Sequence, residues 1–228
     1  MISRFATLAC TLCLCVPLSS AAPLNVGGST SSFDVFSSAS VNAYSGTFVA
    51  GGTTNASSTL WSGVLSSAVF RNSSGTLDFL YQFSNNATSS QVITQLIESN
   101  FSTYAINDIG YIAYDFDGGG NGSVNFKAGT AGDSPLSASR SVGGSVAFNF
   151  GSGSNAIGIN ESSYILMVST NATQWTAGQV QIMDNNINTA DPYYMMYQPY
   201  GAAVPEPATF ALIGLGLVVL SMLGRKHS

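Results

Sequence analysis

The stretch Leu77-Asp78-Phe79-Leu80-Tyr81-Gln82-Phe83 indicates the fold more clearly than any other part of the chain. Its odd-numbered positions are all apolar, whereas the polar residues Asp78 and Gln82 occupy even-numbered positions. The segment Val146-Ala147-Phe148-Asn149-Phe150 has the same alternation. Because successive side chains of a strand point to opposite faces, this period of two predicts strands with one buried face.

Other apolar runs, rich in β-branched and aromatic residues and separated by Gly-, Asn- and Ser-rich turns, predict further strands. These runs cover residues 43–50, 60–71, 109–116, 163–170 and 179–183. The spacing predicts one all-β domain over residues 22–203, with the form of an antiparallel β-sandwich that is jelly-roll-like.

Two segments allow more than one interpretation. Residues 91–101 place Ile93, Leu96 and Ile97 at helical spacing, but the adjacent Val92 and Ile93 also suit a strand that is buried on both faces. Residues 184–204 suit either a final strand or a packed tail that leads into the small-residue stretch Gly201-Ala202-Ala203.

The amino end has the pattern of a secretory signal peptide over residues 1–21. Arg4 supplies a positive start, a mostly apolar stretch follows, and Ser19-Ser20-Ala21-Ala22 offers small residues for cleavage. Cleavage after Ala21 is preferred to cleavage after Ala22, because the latter places Pro23 at the scissile bond. The cysteines Cys10, Cys13 and Cys15 all lie in this segment, so a processed protein has no thiol.

The carboxyl end, residues 204–228, combines three elements in a fixed order. The motif Val204-Pro205-Glu206-Pro207 comes first, an apolar run over residues 208–224 follows, and a basic tail at 225–228 ends the chain. The prolines require a helix to begin after them, and the run predicts a transmembrane helix. Arg225 and Lys226 act as a basic anchor that stays on the cytoplasmic side, so the preceding domain is exported.

This arrangement resembles the PEP-CTERM sorting signal of Gram-negative bacteria. The resemblance implies the membrane protease-transpeptidase exosortase as the partner that reads the motif, after export through the Sec translocon. It also implies an intermediate held in the inner membrane, delivery to the cell envelope or the exterior, and a setting of exopolysaccharide and biofilm. An ordinary tail anchor and a glycolipid-anchor signal are the alternatives.

The composition of residues 22–203 excludes several classes of function. Three cations and ten carboxylates give this part of the chain a net charge of −7, which argues against nucleic acid and against anionic membranes as partners. The single histidine, His227, lies in the basic tail, so histidine-based triads and zinc sites are unavailable to the domain. No spacing singles out a pair of carboxylates for a glycosidase, and no catalytic residue is predicted.

One loop, Asp115-Phe116-Asp117-Gly118-Gly119-Gly120-Asn121-Gly122, has the composition of a calcium site. Asp115, Asp117 and Asn121 could direct several oxygens at one hard cation. The alternative, which composition favours, is a hairpin turn in which Asp, Asn and Gly supply the tight backbone. No other cofactor is predicted.

An aromatic group at Tyr193, Tyr194, Tyr197 and Tyr200, with Trp175, could stack against sugar rings, although such residues more often pack a core edge. The sequence therefore predicts a non-catalytic envelope or matrix protein that is sorted through its carboxyl end. The alternative is a carbohydrate-binding module displayed on the surface, and a hydrolase is a third hypothesis.

Overall fold

A computed structural model of the chain describes residues 23–37, 43–116, 124, 126–130, 133–184 and 192–201. These residues form twelve strands, one short 3₁₀ turn at Gly153–Asn155 and no α-helix. The strands are β1 (Ser29–Thr30), β2 (Asp34–Phe36), β3 (Thr47–Ser57), β4 (Ser62–Arg71), β5 (Leu77–Asn85), β6 (Ile93–Glu98), β7 (Ile106–Ile112), β8 (Ser137–Arg140), β9 (Val146–Asn149), β10 (Ile165–Thr170), β11 (Gln174–Asp184) and β12 (Tyr193–Tyr200).

The strands form two sheets of six. The first sheet has the order β1-β8-β9-β6-β11-β12, and the second has the order β2-β7-β10-β5-β4-β3. All described pairs are antiparallel except β2 with β7, which is parallel. The expectation of a purely antiparallel sandwich is therefore corrected: β2 returns beside β7 in the same direction and makes the second sheet mixed.

One core fills the space between the sheets. The second sheet contributes residues such as Leu65, Phe79, Tyr81 and Phe83, and the first contributes residues such as Leu96, Phe148, Val180 and Ile182. All of these side chains are fully buried or nearly so. The all-β sandwich that the sequence predicts is thus confirmed, whereas its likeness to a jelly roll stays a prediction.

The second sheet also carries a cluster on its outer face. Tyr44 packs edge-on against Phe36, Phe70 and Phe116, each with ring centroids 5.5 Å apart, and Phe126 joins the same cluster. The central strands of this sheet are therefore covered on both sides. This explains why β4 and β5 contain apolar residues at consecutive positions and not only at alternate ones.

Several predicted boundaries differ from the structure. The segment 91–101 contains the strand β6 and no helix, and the tyrosine-rich segment forms the final strand β12. The strand predicted at 109–116 begins earlier and stops at Ile112, because the chain leaves the sheet and takes Phe116 into the outer cluster. The strand predicted at 43–50 instead runs to Ser57 through the small and polar residues that follow Ala50.

The sandwich has two ends, which we name for the discussion of the site. The tail end is where β4, β6, β8, β10 and β12 end, and the far end is where these strands begin. A strand of ten residues such as β4 makes the two ends about 34 Å apart. No helix among the described residues is long and apolar enough to cross a membrane.

Candidate functional site

The predicted sorting residues flank the part of the chain that the structure describes. Val204, Pro205, Glu206, Pro207, Arg225 and Lys226 follow it, and the cleavage residues Ala21 and Ala22 precede it. The predicted transmembrane helix at 208–224 also lies outside the described residues. What the structure shows is the point of attachment of both segments to the sandwich.

Both segments attach at the tail end. On the amino side, the Leu24 N–H donates to the Ile106 carbonyl at the start of β7, at 3.2 Å. On the carboxyl side, the Tyr104 hydroxyl donates to the Gly201 carbonyl at 2.6 Å. Gly201 has a φ of +88°, a left-handed conformation that glycine adopts at no steric cost. The chain is therefore held in place up to the residue that precedes Ala202 and Ala203.

Arg140, at the end of β8, joins the loops of the tail end to one another. Its guanidinium donates to the carbonyls of Leu24 at 3.1 Å, Phe101 at 2.6 Å and Tyr104 at 2.6 Å. The residue is only 5% exposed, and burial lowers the pKa of its guanidinium. An arginine offers five donors in a rigid fork, so one side chain can fix both the amino-terminal segment and the β6–β7 loop through three carbonyls.

A glycine allows two of these loops to approach closely. Gly144, in the β8–β9 turn, has a φ of +87°, and a β-carbon there would lie 2.3 Å from the backbone of Ser102. The Phe101 N–H donates to the Gly144 carbonyl at 2.9 Å across the same contact. The β6–β7 and β8–β9 loops therefore pack backbone against backbone beside the attachment points.

Of the predicted calcium ligands, only Asp115 is described. It is exposed, and its carboxylate accepts the backbone N–H of Ala128. Asp117 and Asn121 lie outside the described residues, so the calcium site stays a prediction. Among the ranges that the structure describes, no three His, Cys, Asp or Glu side chains are grouped so that they could hold a metal ion.

The aromatic group is only partly brought together. Trp175 and Tyr197 meet edge-on with ring centroids 5.0 Å apart. Tyr194 instead contacts Trp61 and donates its hydroxyl to the Ser57 carbonyl at 2.6 Å, so it belongs to the edge of the core. Tyr193 and Tyr200 are exposed but stand at opposite ends of β12. The residues do not form one stacking platform.

Near the middle of β12 lies a polar cavity that sequence reasoning missed. It has a volume of about 520 Å³ and is lined by neutral side chains and glycines, among them Ser99, Asn100, Gln179, Met195 and Gln198. Asn100 has a φ of +76°, which is uncommon for a residue other than glycine. Because the lining residues come from β11, β12, the segment that follows β6 and the β8–β9 turn, no local motif reveals the cavity.

A smaller cavity of about 240 Å³ lies beside it, where β12 passes close to β3 of the other sheet. Ala177, Met195, Met196 and Tyr197 line it on one side, and residues of β3 and β4 line it on the other. Ser67 is among these, is fully buried, and its hydroxyl has no hydrogen-bond partner among the described residues. A buried hydroxyl in this position can form a hydrogen bond with a polar group that enters the cavity.

The structure also pairs two carboxyl groups at the far end. Asp133 is 2% exposed, and burial, together with the charge of Glu161, raises its pKa to about 7, although a hydrogen bond with Thr130 opposes the shift. Glu161 accepts the Gly158 N–H at 2.9 Å. Neither carboxyl group lines the two cavities described above. The two residues are far apart in sequence, so spacing alone does not reveal the pair.

A third unusual carboxyl group lies beneath the tail end. Glu98 is 1% exposed, and neither of its carboxyl oxygens has a hydrogen-bond partner among the described residues. Burial raises its pKa well above the ordinary value, with only a small opposing effect from its own backbone amide. Burial therefore favours the protonated, neutral form of Glu98 within the sandwich.

Comparison with known protein families identifies a motif at the carboxyl end. Residues 203–226 match the family model described as the PEP-CTERM protein-sorting motif. No curated protein and no solved structure matches the chain. The match confirms the resemblance seen in the sequence. It implies export, a membrane-anchored intermediate and exosortase as the processing partner.

Proposed function

We propose that this chain, which carries a PEP-CTERM protein-sorting motif at residues 203–226, is a non-catalytic protein of the bacterial envelope or extracellular matrix. In this proposal the Sec translocon exports it, and the signal peptide is cleaved off near Ala21. The helix at 208–224 then holds it in the inner membrane until exosortase cuts near Pro205, Glu206 and Pro207. The released sandwich associates with exopolysaccharide.

The observation that carries the proposal is the position of the motif directly behind the folded domain. The sandwich is held by hydrogen bonds up to Gly201, and the matched motif begins at residue 203. A motif in this position is separated from the fold by a very short segment of small residues. Such an arrangement suits a delivered domain that is released intact when the segment behind it is cut.

The absence of catalysis in this proposal rests on chemistry that the domain lacks. The chain has one histidine, and it lies in the basic tail. The paired carboxyl groups of Asp133 and Glu161 stand apart from both cavities, so a substrate held in either cavity would not meet them. A general acid has to reach the bond that it protonates.

Carbohydrate binding is the second candidate function, and the 520 Å³ cavity favours it. Its lining contains amides and hydroxyls but no Asp, Glu, Lys or Arg. Such groups both donate and accept hydrogen bonds, as sugar hydroxyl groups require, and they do not attract an ionic ligand. The candidate ligand is therefore a neutral saccharide.

The sorting proposal is tested by intact mass and membrane fractionation in a host that contains exosortase. The wild-type chain is compared with Pro205→Ala/Glu206→Ala/Pro207→Ala. The wild type is expected to end near Val204 and to leave the membrane, whereas the triple variant stays uncut in the membrane. Pro192→Ala, which changes a proline outside the motif, serves as the control and is expected to behave as the wild type. Retention of residues 208–228 by all three forms would contradict sorting by exosortase.

The carbohydrate candidate is tested by electrophoresis through gels that contain a neutral or an acidic polysaccharide. Retardation is expected in the neutral gel and is expected to disappear in Gln179→Ala/Gln198→Ala. Tyr193→Ala, at an exposed tyrosine outside the cavity, is the matched control and should be retarded as the wild type. Loss of retardation in the tyrosine variant alone would assign binding to the aromatic residues and not to the cavity.

A further inference from the structure

We propose that the tail end of the sandwich rests on the lipid surface of the membrane while the chain is anchored. This inference depends on the proposed function, because it requires the segment after Gly201 to hold the chain in a bilayer. It adds a defined docking face and a defined orientation to that function. The partner is the lipid surface itself.

The first observation is the position of the chain ends. Leu24 is bonded to the start of β7, and Gly201 is bonded to the β6–β7 loop, so both ends of the described chain leave the sandwich at the tail end. Six residues, 202–207, lie between Gly201 and Ala208, where the apolar run begins. Whatever their conformation, these residues span at most roughly 25 Å. This distance is shorter than the sandwich is long, so the tail end is the end that faces the bilayer.

The second observation is the distribution of charge. Arg71 is an exposed cation at the tail end, whereas Arg140 at the same end is only 5% exposed. The carboxyl groups nearest to this end, on Asp78, Glu98 and Asp108, are each less than 10% exposed.

At the far end Asp115 is exposed and Glu161 is partly exposed. The third described cation, Lys127, lies beside Gln82 of β5 and not at the tail end. Bilayer surfaces that contain anionic lipid repel carboxylates and attract cations. The charges of the sandwich therefore favour contact through the tail end and oppose contact through the far end.

The third observation is a set of exposed apolar side chains at the tail end. Val142, in the β8–β9 turn, is 83% exposed, and Val26 on the neighbouring amino-terminal segment is 52% exposed. Tyr200 and Trp175, at the adjoining ends of β12 and β11, are 59% and 38% exposed. Aromatic side chains with a polar edge are enriched where membranes meet water, and exposed valines gain by leaving water there.

The far end also exposes apolar side chains, at Leu136, Ile159 and Tyr193. They lie at the end that carries the exposed carboxylates, and contact with an anionic surface there would bring like charges together. Apolar exposure alone thus does not choose between the ends. The tail end is selected by three features together: its apolar exposure, its short connection to the apolar run, and nearby carboxyl groups that are buried or, at Asp34, only partly exposed.

The docking face is held in shape before any contact forms. Arg140 fixes the amino-terminal segment and the β6–β7 loop through three backbone carbonyls, and Tyr104 fixes Gly201. A preorganised face loses little conformational freedom when it contacts a surface. Several small contacts on such a face can add up to one stable orientation.

The two tryptophans of the chain provide a direct test. Trp175 lies at the tail end and is partly exposed, whereas Trp61 lies at the far end and is 2% exposed. The full chain is placed in nanodiscs of phosphatidylethanolamine and phosphatidylglycerol, without exosortase, with and without lipid that carries a nitroxide on its headgroup. Nitroxide lipid is expected to remove much of the Trp175 emission and to leave that of Trp61 unchanged. In Trp175→Phe the quenchable component should disappear.

Two matched variants separate docking from simple tethering. Val142→Asp adds a carboxylate to the tail end and is expected to restore most of the quenched emission, whereas Ile159→Asp makes the same change at the far end and leaves the quenching as in the wild type. Unquenched Trp175 in a chain that resists an alkaline carbonate wash would overturn the docking and leave the anchoring intact. A chain that the wash removes would overturn the anchoring, and the docking with it.

Discussion

The tail end and the far end of the sandwich differ in how their loops are held and in how far their carboxyl groups are exposed. At the tail end the loops are tied together by Arg140, both chain ends leave, and the nearest carboxyl groups are buried. At the far end Asp115 and Glu161 are at or near the surface, and Asp133 is held with a raised pKa. One fold thus carries two chemically different faces. The difference indicates that the loops, and not the sheets, determine the surface that each end of the domain presents to its surroundings.

The buried carboxyl group beneath the tail end should show the largest effect. Glu98 keeps its proton in the folded state but loses it in the unfolded state above the ordinary pKa of 4.5. The contribution of Glu98 to the free energy of unfolding is thus fully present below that pH. It is lost as the pH rises, by up to about 1.4 kcal/mol per pH unit, until the pKa of the folded state is reached. Glu98→Gln should remove this dependence, so that its free energy of unfolding exceeds that of the wild type increasingly from pH 5 to pH 8, measured by urea denaturation. A constant difference between the two proteins at every pH would contradict a neutral, buried Glu98.

Replacement of Arg140, which connects the loops of the tail end, should have the second largest effect. Arg140→Met keeps most of the aliphatic volume but leaves the carbonyls of Leu24, Phe101 and Tyr104 without their donors. We expect a loss of about 3 kcal/mol in the free energy of unfolding, together with faster hydrogen exchange in the loops of the tail end. Arg71→Met is the control at the same end: that residue is exposed and bonds only the Gly75 carbonyl, so its loss should be within about 0.5 kcal/mol. Equal losses in the two variants would show that the tail end does not depend on Arg140.

The far end should respond to pH more weakly. Asp133 holds its proton up to a pKa of about 7, against an ordinary value of 3.8, so its contribution to stability is present at low pH and is lost between pH 4 and pH 7. Although the residue is 2% exposed, the protein shell around it is thin, and solvent screening reduces the effect to about 1 kcal/mol. Asp133→Asn should be more stable than the wild type at pH 7.5 and equal to it at pH 4 by thermal unfolding. A variant that is less stable at pH 7.5 would mean that the ionised carboxylate is needed there.

The sequence predicts the parts of this molecule that depend on local pattern. Alternation identifies β5 and β9 as strands, but the prediction of one buried face is wrong for β5, because the outer cluster covers Leu80 and both Asp78 and Gln82 are buried. The sorting motif is recognisable because it is a short linear signal followed by an apolar run. The segment that became β6 stays ambiguous in sequence because Ile93, Leu96 and Ile97 fit either period. The predicted end of the strand at 109–116 is wrong, because Phe116 packs against the outer cluster and does not belong to the sheet.

The features that distinguish the two ends could not be predicted in this way. Arg140 acts through carbonyls from two other parts of the chain, and the pKa of Asp133 is raised by burial and by Glu161, which follows two strands later in the sequence. The 520 Å³ cavity is assembled from two strands, β11 and β12, and from the loops after β6 and β8. Each of these depends on which loops the sheets bring to the same end, and this follows from strand order and not from any single segment.

The orientation of the sandwich is tested most directly by labelling single cysteines in the anchored chain. Residues 22–203 contain no cysteine, so Val142→Cys and Ile159→Cys each introduce one reporter at one end of the domain. In detergent, Val142→Cys should react faster with a membrane-impermeant maleimide, because position 142 is 83% exposed and position 159 is 44% exposed. In membranes we predict the reverse order, with Val142→Cys slowed by the lipid surface and Ile159→Cys unchanged. The same order in membranes as in detergent would contradict the claim that the tail end faces the membrane.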